Sequence, residues 1–328
     1  MSDMIRAVYR TVCADVADAQ HQAVIYRLIY PASYSATDYE NATGDLPIRP
    51  SDTPSPVFIM MGGINVNPDS YRELARQLAD AGFVVMLYSY VGRLFGDAIG
   101  LSPGLDLGAL TPDVVGTRPS ATLLRTLIDE LHRENDSPMF AGMLDTSRVI
   151  LGGHSAGGTV ALLNANRDWF PEVCGVATYG SHTQPAQALG YSDHDILAVG
   201  SNPRAASTVP VCLIGGTEDG VIASSAGRYG NTEHHRIRAT YEAVPGASSK
   251  SYVLVNEANH LSMCQPLDEM SARGFLETQP IFNASIFEVI CGIFTSFCCD
   301  VASGDAQLGS LRQACTHSMV AEWEVSTP

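Results

Sequence analysis

The chain has 328 residues, of which 45% are hydrophobic and 16% charged, a balance that excludes intrinsic disorder and supplies a sizeable core. Its formal net charge of -16 disfavours nucleic acid and anionic membrane surfaces as partners. The same acidity keeps a globular protein soluble.

In chain order, Met1 to Gln20 contains charges and no apolar core, so no secretory signal is expected there. Gln22 to Tyr30 reads as a β-rich strand stopped by Pro31, and Ala32 to Pro56, rich in Pro, Ser, Thr and Asp, reads as loop. Val57 to Met61 is a short apolar strand of the kind buried on both faces. Asp69 to Ala81 is helix-like, with Leu74 and Leu78 four apart and Gly82 at its end. Phe83 to Tyr90 is another apolar strand, too short to span a bilayer, and no transmembrane segment is expected. Ser120 to Glu134 places Leu123, Leu124, Leu127 and Leu131 on one side of an amphipathic helix.

Arg148 to Gly152 is a strand and Ala156 to Asn166 the helix after it. Gly175 to Gly180, Val209 to Ile214 and Ser251 to Val255 are further short apolar strands, and Pro280 to Cys299 reads as a late amphipathic helix. Strands alternating with helices predict an α/β fold with a mostly parallel central sheet, helices on both faces, and one domain over 1–328. Two long segments, 91–119 and 182–208, break the rhythm and are candidate lid or substrate-contacting loops.

The eight cysteines show no C-x-x-C pair and no regular spacing. Cys174 and Cys212 lie in apolar runs, where a thiol behaves as a small core residue. Reduced thiols in a cytoplasmic or organellar protein are expected. The even count still allows disulfides, and Asn41-Ala42-Thr43 and Asn283-Ala284-Ser285 match the glycosylation sequon, so a mature secreted form is compatible with the sequence.

The chemistry concentrates at Gly153-His154-Ser155-Ala156-Gly157, where an apolar strand ends and a helix begins. Strand, Gly-x-Ser-x-Gly and helix make a nucleophile elbow. Its turn is so tight that positions two before and two after the serine favour residues without a Cβ. Alone, this pattern also arises by chance, but three further features accompany it. Val57 to Met61 runs into Gly62-Gly63-Ile64-Asn65, a glycine turn suited to half of an oxyanion hole. The N–H of Ile64 would be one donor and that of Ala156 the other.

The strand Val209 to Ile214 ends in Gly215-Gly216-Thr217-Glu218-Asp219, where Asp219 and Glu218 compete for the role of triad acid and Asp219 is preferred. The strand Ser251 to Val255 leads to Ala258-Asn259-His260, which completes the order Ser, Asp, His. His260 would take the proton of Ser155, and Asp219 would hold the imidazole tautomer. His182, His194, His234 and His235 read as surface or cap residues, and His154 is expected to point away from the serine.

These motifs resemble the α/β-hydrolases, over most of the chain. More narrowly, Gly153-His154-Ser155-Ala156-Gly157-Gly158, Gly216-Thr217-Glu218-Asp219-Gly220-Val221-Ile222 and Ala258-Asn259-His260 resemble the branch that holds chlorophyllases, dienelactone-hydrolase-like proteins and cutinase-like polyester hydrolases. The resemblance implies a serine esterase with Ser155, Asp219 and His260 as its triad. It departs at Gly62-Gly63, where many relatives carry His-Gly.

The apolar content of 91–119 points to a small-molecule ester with a bulky hydrophobic part. Chlorophyllase-like cleavage is the leading specific expectation, beside a general carboxylesterase or polyester hydrolase. Gly63, His154, Leu94 and Phe95 are expected at the substrate, and no metal or cofactor is expected. The same triad serves thioesters, lactones and amides, and the same fold also serves as a non-catalytic ligand receptor. Oligomeric state is not written in these patterns.

Overall fold

A computed structural model of the chain describes residues 4–16, 18, 20–94, 98–201, 209–224, 236–245, 249–267 and 282–328. It is an α/β structure built on a ten-stranded sheet flanked by helices. The central strands are β3 (Ser55–Met61), β4 (Val84–Arg93), β6 (Leu144–His154), β7 (Val173–Tyr179), β8 (Val211–Gly216) and β9 (Lys250–Val255). They lie in the order β4-β3-β6-β7-β8-β9 and are parallel throughout.

Antiparallel strands close both edges. β1 (Met4–Cys13) and β2 (Ala23–Ala32) extend the β4 side, and β10 (Val320–Ser326) pairs with β9. A short β5 (Ile99–Leu101) also pairs antiparallel with β4.

The two-residue period of β3 divides the core. Val57, Ile59 and Met61 join one apolar cluster, and Phe58 and Met60 join the other. The first cluster receives α3 (Leu124–Asn135), α4 (Ala156–Leu163) and, after a short α5 (Gly220–Ser224), α6 (Arg236–Ala243), through Leu127, Leu131, Val160 and Ile237. The second receives α2 (Arg72–Asp80), α7 (Ala284–Ser303) and α8 (Gly309–Ala314) through Leu74, Leu78, Phe294 and Leu311. The sheet is therefore covered on both faces, as its apolar strands demand.

Several boundaries differ from the sequence reading. β2 runs through Pro31 to Ala32 rather than stopping at Pro31. The β4 ladder ends at Ile29, so the missing proline N–H breaks no bond on that side. The segment 32–56 carries a short helix, α1 (Asp38–Thr43), closed by a capping box between Thr37 and Glu40. The helix expected from Asp69 opens as a 3₁₀ turn, Pro68–Tyr71, before α2. Ser120 to Leu123 precede α3, because Ser120 and Ala121 give their N–H groups to the Asn164 side chain.

Among the described residues, α7 is the one helix long and apolar enough to cross a membrane. Phe287, Ile290, Phe294 and Phe297 are fully buried in the core, so packing against the sheet accounts for much of its apolar surface.

Candidate active site

The elbow sits where β6 meets α4. Ser155 has φ +53°, a left-handed conformation that a non-glycine residue holds only against strain. Packing around it explains the glycines. A Cβ on Gly153 would lie 2.3 Å from Gly158 Cα, and one on Gly157 would lie 2.1 Å from the Met61 carbonyl oxygen. Both obstacles are backbone, which cannot swing aside. The Ser155 N–H donates to the Tyr179 carbonyl at 3.1 Å, tying the turn to the end of β7.

Ser155, Ile64, Ala156 and His260 line one cavity of about 370 Å³. Each follows the C-terminal end of a parallel strand, the edge at which α/β sheets form their ligand crevices. Ala156 is the first residue of α4, so no preceding turn of helix supplies an acceptor for its N–H.

Asp219 lies behind His260. The His260 Nδ1 donates to Asp219 Oδ2 at 2.9 Å, and the Ile222 N–H donates to Asp219 Oδ1 at 2.9 Å. Burial raises the Asp219 carboxyl, but the charge and hydrogen bond of His260 and the Ile222 N–H outweigh it, so its pKa lies below the usual value. Glu218 is exposed, and its N–H donates to the Ala258 carbonyl at 3.0 Å. The geometry therefore separates the two competing carboxylates.

Gly180, which ends the β7 run, makes the Asp219–His260 pairing sterically feasible. It has φ +57°, and a Cβ there would lie 2.9 Å from both Asp219 Oδ2 and His260 Nδ1. Only its place at a strand end marked it in the sequence, and nothing there linked it to Asp219.

Described residues of both long segments line the cavity. From 91–119 come Leu94, Leu105, Leu107 and Leu110, and from 182–208 come Leu189 and Leu197. The first segment is anchored to the glycine turn. The Asn65 N–H donates to the Leu101 carbonyl at 3.0 Å, and the Leu101 N–H returns to Asn65 Oδ1 at 3.1 Å. Asn65 lines the cavity with φ +56°, a conformation asparagine tolerates better than most residues. Its place beside Ile64 was visible in the sequence, but its clamp on Leu101 was not.

Two residues expected at the substrate are elsewhere. His154 is fully buried beneath the elbow and does not line the cavity. The strand alternation that exposes Ser155 turns its neighbour inward. Gly63 does not line the cavity either, since its N–H donates to the Tyr71 hydroxyl at 2.9 Å. Phe95 lies outside the described residues. His194 is exposed, His182 is buried in the cavity wall rather than at the surface, and His234 and His235 lie outside the described residues.

Among the described residues no group of three or more His, Cys, Asp or Glu side chains is arranged to hold a metal ion. None of the eight cysteines is joined in a disulfide. Neither family models nor curated proteins give a match to this chain.

Proposed function

We propose that the protein is a serine esterase of α/β-hydrolase architecture. One observation carries the reading. A strained serine and a histidine line the same apolar cavity, and a buried carboxylate holds the far nitrogen of that histidine at 2.9 Å.

With Nδ1–H committed to Asp219, His260 presents Nε2 as a base. It takes the Ser155 proton as Oγ attacks the ester carbonyl. The tetrahedral oxyanion is met by the Ile64 and Ala156 N–H groups. The imidazolium then protonates the leaving alkoxide, and the acyl group stays on Ser155. Water, deprotonated by His260, releases the acid and restores the serine. Asp219 stays ionised and stabilises the imidazolium.

The leucines over the cavity support an ester with a hydrophobic part. A volume of about 370 Å³ lies near the lower end of ordinary ligand sites, roughly 300–1,000 Å³. That size favours a general carboxylesterase acting on single acyl or aryl esters over an enzyme that encloses a whole chlorophyll. A chlorophyllase-like reaction would place only the ester arm inside. Eight cysteines with no disulfide among them support a reducing, intracellular setting.

A panel of p-nitrophenyl acetate, p-nitrophenyl octanoate and chlorophyll a tests the reading. The octanoate is expected to give the highest kcat/KM, and Ser155→Ala to lower it by about 10³-fold or more. Tight binding of these esters with no turnover in the wild type would favour a receptor over an enzyme.

A further inference from the structure

His154 was expected at the substrate and is instead fully buried, with two hydrogen bonds that join separate loops of the site. The Gly63 N–H donates to the Tyr71 hydroxyl oxygen at 2.9 Å. That hydroxyl lies 2.9 Å from His154 Nδ1. His154 Nε2 lies 2.8 Å from the main-chain carbonyl oxygen of His260. A carbonyl only accepts, so Nε2 carries a proton. In the neutral ring Nδ1 is then the acceptor, and the tyrosine proton points to it. The chain of donors runs one way, from Gly63 through Tyr71 and His154 to the backbone of His260.

We propose that His154 is a positioning residue that, through its Nε2–H on the His260 carbonyl and its Nδ1 on the Tyr71 hydroxyl, fixes the general base relative to the oxyanion turn. The inference rests on the esterase reading above. Gly63 immediately precedes Ile64, the proposed oxyanion donor. His260 is held at two points, its ring by Asp219 and its carbonyl by His154. The preceding carbonyl, that of Asn259, accepts from the Tyr179 hydroxyl, so the loop that carries the base is gripped on consecutive residues. The rings of His154 and His260 also pack at 4.8 Å between centroids. A small shift of the base against the oxyanion turn slows the chemical step more than it weakens binding, because substrate positioning tolerates little error.

The test uses the full chain and p-nitrophenyl octanoate. Glutamine can offer an acceptor to Tyr71 and a donor to the His260 carbonyl, whereas leucine fills the space and offers neither. His154→Leu is expected to lower kcat by about tenfold or more with KM nearly unchanged. His154→Gln is expected to restore most of that loss. Tyr71→Phe, which keeps the ring and removes the hydroxyl, is expected to lower kcat in the same way and provides the test if His154→Leu does not fold. Nitrogen-15 NMR at pH 7 is expected to show His154 as the Nε2–H tautomer.

A leucine variant as active as wild type, a glutamine variant no better than leucine, a Tyr71→Phe enzyme with unchanged kcat, or an Nδ1–H tautomer would each overturn the proposal. Failure of the wild-type chain to hydrolyse any ester would defeat the esterase reading alone, and the tautomer would still test the hydrogen-bond chain.

Discussion

At the scale of single residues, the proposed nucleophile and base were readable because each obeys a local rule. Ser155 sits between glycines whose missing Cβ atoms have a steric reason, namely the backbone of Gly158 and of Met61. His260 follows a short apolar strand. The acid was ambiguous, because adjacent carboxylates on a turn look alike in sequence, and only folding buries Asp219 and leaves Glu218 in water. Asp219→Asn is therefore expected to cut kcat severely. The equivalent exchange in a serine protease costs about 10⁴-fold. Glu218→Gln is expected to leave turnover near wild type, and steady-state kinetics on both variants checks the pair.

His154 points away from Ser155, as strand alternation predicts, and that same burial removes it from the substrate contact also expected of it. His182 shows a related effect. Its burial, followed by the charge of Arg236, pushes its imidazole down to about 3 from an ordinary 6.5. The unfolded chain takes up that proton first, so stability is full above pH 6.5 and falls as pH drops toward 3. Urea midpoints measured from pH 7 to pH 5 are expected to fall less steeply for His182→Gln than for wild type. Equal slopes would contradict the assignment.

At the scale of elements, the buried parallel strands were legible as short apolar runs, because burial on both faces leaves no polar alternation to blur them. The edge strands were not. β1 interleaves Arg6 and Arg10 with its apolar residues, and β10 carries Glu322 and Glu324, which pair with Arg238. Charge on an exposed edge is how sheets avoid pairing with other chains, and it also hides the strand from a search for apolar runs. Helix starts shifted for local reasons, as at Ser120 and Ala121, whose N–H groups turn to Asn164.

α7 was read as amphipathic and is so: Phe287, Ile290, Phe294 and Phe297 are buried, while Glu288, Gly292, Thr295, Ser296 and Cys299 form an exposed or half-buried stripe. Phe294 lies at its centre with no exposure. Phe294→Ala is expected to cost about 3–5 kcal/mol, read as a lower urea midpoint at constant m-value. A change below about 1 kcal/mol would mean that the helix contributes little to the core.

At the scale of the whole molecule, the topology does what the motifs cannot. It brings residues 64, 155, 219 and 260, far apart in the chain, to one edge of a parallel sheet. The sequence indicated their order along the chain, and the fold converts that order into a cavity with a paired base. In the proposed esterase the cavity leucines of 91–119 and 182–208 select the ester; they obey no period and so could be suspected but not placed. The first of these segments is tied through the Asn65–Leu101 clamp to the glycine turn that carries Ile64, the proposed oxyanion donor.

The central claim is that Ser155 is an activated nucleophile. Incubating the folded, full-length protein with a fluorophosphonate probe and mapping the adduct by mass spectrometry tests it directly. One adduct is expected, on Ser155, whose formation slows sharply in His260→Ala. A folded chain that carries no adduct on Ser155 would contradict it.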